Sequence, residues 1–206
     1  MANETTRRKE LLVAAARLFS RKGYHATSMQ DIADELNILR GSLYHYIESK
    51  EGLLYELMEL GVRTLLEQVR PIVESDLPPD EKLTRLIRQH TVTIAQYPDF
   101  MAVFLHELKS LSPPRREQIL AYRKEYENLV RRVIAEGIAW GTFRPVNERM
   151  VTFALLGMVN WVYQWYSPDG GLSAEEIGAI FGDVVLHGLL AGECAGEVRP
   201  HEPSPQ

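Results

Sequence analysis

Arg40-Gly41-Ser42-Leu43-Tyr44-His45-Tyr46 is the densest run of potential chemistry in the chain. A guanidinium can bond a guanine edge or a phosphate, and small residues let a backbone approach closely. Hydroxyl and imidazole groups add phosphate and base contacts. Leu43 and Ile47 are spaced to anchor one face of a short helix, which turns Arg40, Gly41, Ser42, Tyr44 and His45 outward. That pattern fits the reading of duplex DNA. Thr27, Ser28 and Met29 open the preceding helix and join the expected DNA contacts, with Tyr46 and Lys50 expected at phosphates.

A second constellation lies at Asn160-Trp161-Val162-Tyr163-Gln164-Trp165-Tyr166, where two amides stand among four rings. Apolar walls with a few polar groups describe a small-molecule site. Asn160, Gln164 and Tyr126 are its expected polar members, and Phe104, Trp161 and Trp165 its walls. Catalytic signals fall away one by one. His106-Glu107 begins a zinc-protease motif, but Ser110 stands where the second histidine belongs. The six histidines show no ligand spacing, and Gly137-x-x-x-Gly141 follows no strand pattern. The expectation is a non-enzyme with no cofactor and no metal.

Positioning the first run requires a capped helix and a tight turn. Ser28-x-x-Asp31 reads as a capping box, and Met29, Ile32, Ala33 and Leu36 make one apolar stripe. Asn37 stands at the reversal, where asparagine tolerates the left-handed conformation. Thr5–Lys22 forms a preceding helix with Leu11, Leu12, Ala15, Leu18 and Phe19 inward. Its Arg7-Arg8-Lys9 can reach DNA backbone, and Gly23 ends it. Ser49 caps a helix running to about Val73, about 37 Å long, too long for the head alone. Further helices follow: Glu81–Gln96 capped by Asp80, Asp99–Ser110, one from Ser112-Pro113-Pro114 to about Trp140, Asn147 to Trp165, and one capped by Ser173-x-x-Glu176. The fold class is all-α. Residues 1–48 form a helix-turn-helix head, 49–192 a ligand-binding and dimerisation domain, and 193–206 a Pro- and Glu-rich disordered tail. The helices from Asn147 and Ser173 are apolar on more than one face. Phe153, Leu156, Ile177, Ile180, Phe181 and Val184 are therefore expected to pack against a second copy as a four-helix interface.

Composition sets the outer bounds. The net charge of −5 argues against nucleic acid at first sight, yet residues 1–52 hold eight Lys/Arg against seven Asp/Glu, leaving −6 to the remainder. Local field, not total charge, acts on phosphates. The lone Cys194 forms no internal disulfide. The most apolar stretch, Met150–Tyr166, carries Thr152, Asn160 and Gln164 and is shorter than the roughly 20 residues of a membrane span. The expected location is cytoplasmic.

Residues 7 to 54 closely resemble the N-terminal domain of TetR-family transcriptional regulators. The resemblance is carried by Gly23-Tyr24, Thr27-Ser28, Asp31-Ile32-Ala33, Gly41-Ser42-Leu43-Tyr44-His45-Tyr46 and Ser49-Lys50-Glu51-Gly52-Leu53-Leu54. Asn37-Ile38-Leu39 stands where Gly-Val-Ser is common, so Leu39 cannot cap the second helix through its side chain; Ile47 stands where Phe is common. The C-terminal portion is similar to the subgroup sensing acyl-CoA thioesters, through Tyr122-Arg123-x-x-Tyr126-Glu127, Gly137-x-x-x-Gly141-x-Phe143, Leu155-Leu156-Gly157, Asn160-Trp161 and Trp165-Tyr166. The resemblance implies a homodimeric repressor of palindromic operator DNA, released by a small apolar effector, with Arg123 among the cations for its phosphates. Competing readings are an effector-independent DNA binder, a regulator of a non-CoA hydrophobic ligand, and a helical carrier using the head for protein contacts.

Overall fold

A computed structural model describes residues 2–190, with side chains from Arg7 onward. The expected tail, 193–206, and Cys194 lie outside the described residues. Ten α-helices span the described residues: α1 (Ala2–Lys22), α2 (Met29–Glu35), α3 (Arg40–Leu43), α4 (Lys50–Val73), α5 (Pro79–Gln96), α6 (Pro98–His106), α7 (Pro113–Ala139), α8 (Glu148–Asn160), α9 (Val162–Trp165) and α10 (Ala174–Leu189). A 3₁₀ turn, Leu108–Ser110, joins α6 to α7. The one β-type pairing among the described residues is a single bridge, Phe143 to Leu190.

Local chemistry explains most boundaries. Gly23 leaves α1 at φ 82° and Asn37 reverses the chain at φ 52°, the left-handed conformation that these residue types accept. Ser49 caps α4 and Asn147 caps α8 through their side chains. Ser173 and Glu176 complete a capping box on α10. Asp80 does not cap α5. Pro79 already occupies the first turn, which suits its fixed φ, so Asp80 falls inside the helix and Pro78 takes the boundary. The expected helix from Asn147 to Trp165 is broken at Trp161 into α8 and α9.

Two hydrophobic cores share α4. Leu53, Leu54, Leu57 and Met58 belong to the head core with Leu11, Phe19, Ile32 and Leu43. Val62, Leu65, Leu66, Val69 and Val73 belong to the body core with Leu83, Val130, Ile134 and Leu155. The head core also takes Val103, Leu111 and Ile119 from α6, the following turn and α7. The packing therefore has no break at residue 48, where the sequence suggests a boundary. Between α5 and α7, buried Lys82 reaches Glu136 at 3.0 and 3.1 Å.

The body is closed by α10 lying flat on α5. A Cβ on Gly178 would stand 2.8 Å from Arg88 Cα, so only glycine permits this approach. Gly137 plays the same part for Phe143, whose ring fills the space a Cβ would need. Gly178→Ala should lower stability. Better helix propensity returns about 1 kcal/mol, but overpacking against backbone costs about 1–3 kcal/mol. Thermal unfolding followed by circular dichroism should fall by about 2–4 °C, whereas Gly61→Ala, facing open space, should not lower it.

Candidate nucleic-acid interface and effector site

The capping box at the start of α2 is complete. Ser28 Oγ accepts from the Asp31 N–H at 3.0 Å, and Asp31 Oδ2 accepts from the Ser28 N–H at 2.7 Å. Lys22 reaches the same carboxylate at 2.7 Å. The bond from Lys22, then those from Ser28, hold the Asp31 carboxyl well below the ordinary carboxylate range. The turn at Asn37 leads into α3, which begins at Leu39 without a side-chain cap, as its residue type requires. The helix proper is one turn. Hydrogen-bonded turns extend it, with Tyr46 and Ile47 N–H groups donating to Leu43 O at 2.9 and 3.1 Å.

Leu43 and Ile47 are buried, and their anchoring turns Arg40, Gly41, Tyr44 and His45 into solvent, with Ser42 and Tyr46 half-buried. Among the described residues Arg40 has no ion pair. Arg7 and Arg8 instead pair with Glu10 and Glu56 at 2.6 and 2.5 Å. Such exposed pairs are weak and can be exchanged for phosphate.

Two expected DNA contacts are corrected. Thr27 is only 1% exposed, because its hydroxyl folds back to donate to Gly23 O at 2.8 Å. Met29 is buried in the head core, as its place in the apolar stripe dictates. Lys50 lies with its Nζ 4.4 Å from the Tyr24 ring centre and 3.4 Å from His25 O. Burial pulls its pKa below the ordinary lysine value.

The head is tied to the body by contacts that no local pattern announces. The Tyr24 N–H donates to Glu107 at 3.2 Å, Ser110 Oγ meets His25 Nε2 at 3.2 Å, and the Ser112 N–H donates to Glu51 at 2.9 Å. That last contact lowers the pKa of Glu51. All of these pairs lie far apart in sequence, so only the tertiary fold reveals them.

The body holds an inner cavity of about 50 Å³ lined by His90, Met101, Phe104, Tyr126, Leu156 and Asn160, among others. It adjoins a surface groove of about 520 Å³ lined by Arg123, Lys124, Arg131, Arg149 and Phe153, and the two share Arg123 and Glu127. The Tyr126 hydroxyl and His90 Nδ1 are 2.9 Å apart. Burial raises the phenol's pKa and pushes the imidazole's down to about 4, against an opposing pull from the nearby Asn160 amide. A neutral imidazole must accept at Nδ1 if Tyr126 donates, leaving the proton on Nε2. That nitrogen lacks a hydrogen-bond partner; the Asn160 amide influences it without meeting bonding geometry.

Of the expected effector residues, Phe104, Tyr126, Asn160 and Arg123 converge here. Trp161, Gln164 and Trp165 do not: α9 turns them outward, with Trp161 60% exposed and Gln164 bonded to the Tyr163 hydroxyl at 2.6 Å. The break at Trp161, invisible in the periodicity, separates them from Asn160. Of the expected dimer contacts, Ile177 is buried in the body core and Leu156 lines the inner cavity. Ile180, Val184 and Phe153 are exposed, Val184 to 58%, while Phe181 is half-buried beneath Trp165, ring centres 6.4 Å apart.

Known proteins align with both halves. Residues 11–57 match the family described as bacterial regulatory proteins, tetR family, and residues 76–189 match the tetracyclin repressor-like C-terminal domain. The HTH-type transcriptional repressor KstR2 of Mycolicibacterium smegmatis is 34% identical over 91% of this chain and 93% of its own. The structure of the ketosteroid transcriptional regulator KstR2 of Mycobacterium tuberculosis superposes with a TM-score of 0.85 at 33% identity, covering 90% and 96% of the two chains. AibR, solved with isovaleryl coenzyme A and operator DNA, gives 0.77 at 32% identity over 89% and 98%.

His90 should leave a signature in stability. Its folded pKa, about 4, lies below the ordinary 6.5, so between these values the unfolded chain binds more protons. The contribution is fully present above about pH 6.5 and is lost as pH falls towards 4. At about 1.4 kcal/mol per pH unit it amounts to about 3 kcal/mol. Chemical denaturation between pH 4 and 7 should show this slope, and His90→Gln should flatten it.

Proposed function

The chain belongs to the TetR family of bacterial transcriptional regulators, and on that premise we propose that it is a homodimeric repressor released from operator DNA by an acyl-CoA thioester. The observation that carries the DNA reading is the exposed Arg40, without an ion pair among the described residues, beside Gly41, Tyr44 and His45 on a helix anchored by Leu43. Arg40 and His45 would meet base edges in the major groove. Ser28, Tyr44, Tyr46 and Lys50 would contact phosphates and set the head's register. A single short helix reads few bases, so two heads about 34–36 Å apart on a palindrome are required.

The exposed apolar face of α8 and α10 supports the second copy. Phe153, Ile180 and Val184 stand open to solvent in one protomer, and their burial in a two-fold four-helix interface would remove them from water. Trp161 and Trp165, displaced from the cavity, extend the same apolar surface.

The effector reading rests on the shared wall between the cationic groove and the inner cavity. Four cations against one carboxylate suit the phosphates of a coenzyme A, while His90, Tyr126 and Asn160 supply polar contacts for a thioester in the inner cavity. AibR's complex with isovaleryl coenzyme A and DNA, a structure of similar fold, supports the same ligand class. An effector that binds better to the conformer with misplaced heads must weaken operator binding by the same factor that operator weakens effector binding.

Fluorescence anisotropy on the DNA flanking its own gene, with and without acyl-CoA thioesters, tests the proposal. Affinity should fall steeply with salt, and one or more thioesters should release the DNA. Arg40→Ala should weaken operator binding by about 1–3 kcal/mol and relax base preference; unchanged affinity would remove the recognition role. Arg131→Glu should raise the thioester concentration needed for release about tenfold with operator affinity intact. Val184→Glu should give monomers by sedimentation, with operator affinity lost.

A further inference from the structure

A third cavity lies on the far side of the inner one. It measures about 350 Å³, and its lining is mainly apolar, with Lys9, Thr64 and Thr93 the exceptions. Unlike the other two it is bounded by the DNA-binding head: Leu12 and Val13 of α1 form one wall, facing Leu60 of α4 and Phe100 of α6. Val13, Leu60 and Tyr97, three large apolar side chains left exposed at 43–44% in one protomer, all border it. They belong to α1, α4 and the α5–α6 junction, not to α8 or α10, whose exposed face is the one proposed for dimerisation.

This cleft and the inner cavity share four wall residues, Val62, Leu65, Met101 and Phe104. The three spaces are therefore neighbours in order: the cationic groove, the small middle cavity, or neck, with His90, Tyr126 and Asn160 in its lining, and the apolar cleft. The neck, at about 50 Å³, is much the smallest of these three spaces, enough for a few water-sized groups such as those of a thioester. The cleft falls within the size range of small-molecule sites. Met101, unbranched and adaptable, stands in the partition between them.

We propose that the effector's acyl group passes the Met101–Phe104 partition and lies in the apolar cleft, so that its tail touches α1 of the DNA-binding head directly. The inference rests on the thioester reading and narrows it: the effector class is thioesters of long, apolar acyl groups. Their carbonyl lies near His90, Tyr126 and Asn160, and their far end covers Val13 and Leu60. A short acyl group fills the neck alone and never meets the head. A long one adds its own bulk to the packing between α1, α4 and α6, where head and body join. Effector size is thus read at the junction itself.

Isothermal titration calorimetry on the full chain with CoA, butyryl-CoA, octanoyl-CoA and dodecanoyl-CoA tests this. Affinity should rise about tenfold or more from butyryl to dodecanoyl as methylenes enter the cleft. Val13→Trp, which fills the cleft, and Val13→Asp, which charges it, alter an exposed position and should each cut that gain below about threefold. A gain that survives both substitutions, or no dependence on length in the parent chain, would overturn the acyl-tail placement while leaving the thioester reading in place. If none of the four ligands binds, the thioester reading falls and this inference falls with it.

Discussion

One helix, α4, is common to both hydrophobic cores, and the rest of the structure depends on that sharing. Its first turns bury Leu53, Leu54, Leu57 and Met58 under the helix-turn-helix, and its later turns bury Val62, Leu65, Val69 and Val73 under α5 and α7. A close-packed interior transmits displacement because it has few voids to absorb it. Any repacking around Val62 or Leu65, both of which line cavities in the body, must act on the rod that carries the head. Ser49 fixes where that rod starts by accepting the Gly52 N–H at 2.9 Å, and Glu51 docks the same end to the Ser112 backbone.

The polar interior is sparse and placed where apolar packing would leave choices open. Lys82 and Glu136 fix α5 to α7 at one end of the body. The neutral His90–Tyr126 pair joins the same two helices further along, leaving one imidazole nitrogen unpartnered beside a cavity. An unpartnered buried donor is costly, so a ligand oxygen arriving there gains a bond and removes a penalty.

Much of this architecture is legible in the amino-acid sequence, and the exceptions follow a rule. Elements marked by local chemistry stand where expected: the Ser28 and Ser173 capping boxes, the left-handed Asn37, the Ser49 cap, the uncapped Leu39. Arg40, Tyr44 and His45 face outward as their spacing requires. Failures arise where direction depends on distant packing. Thr27 has the residue type of a phosphate contact but satisfies carbonyls at the end of α1. Trp161 and Trp165 have the composition of pocket walls, yet the break after Asn160 rotates them outward. Ile177 belongs to a helix apolar on more than one face, and periodicity alone does not say which face meets α5; the close approach at Gly178 decides it. The His25–Ser110 and Tyr24–Glu107 contacts span more than eighty residues and carry no local signal.

The head core is completed by Val103, Leu111 and Ile119, supplied from the body. A chimaera that transplants residues 1–57 onto a different regulator would leave the face of α1 that meets α6 packed against a gap. The portable unit is discontinuous: it comprises the first fifty-odd residues together with α6 and the opening turns of α7. The outward residues of α3 are a different case: they contribute little to the core beneath them and can be exchanged between relatives without moving the head.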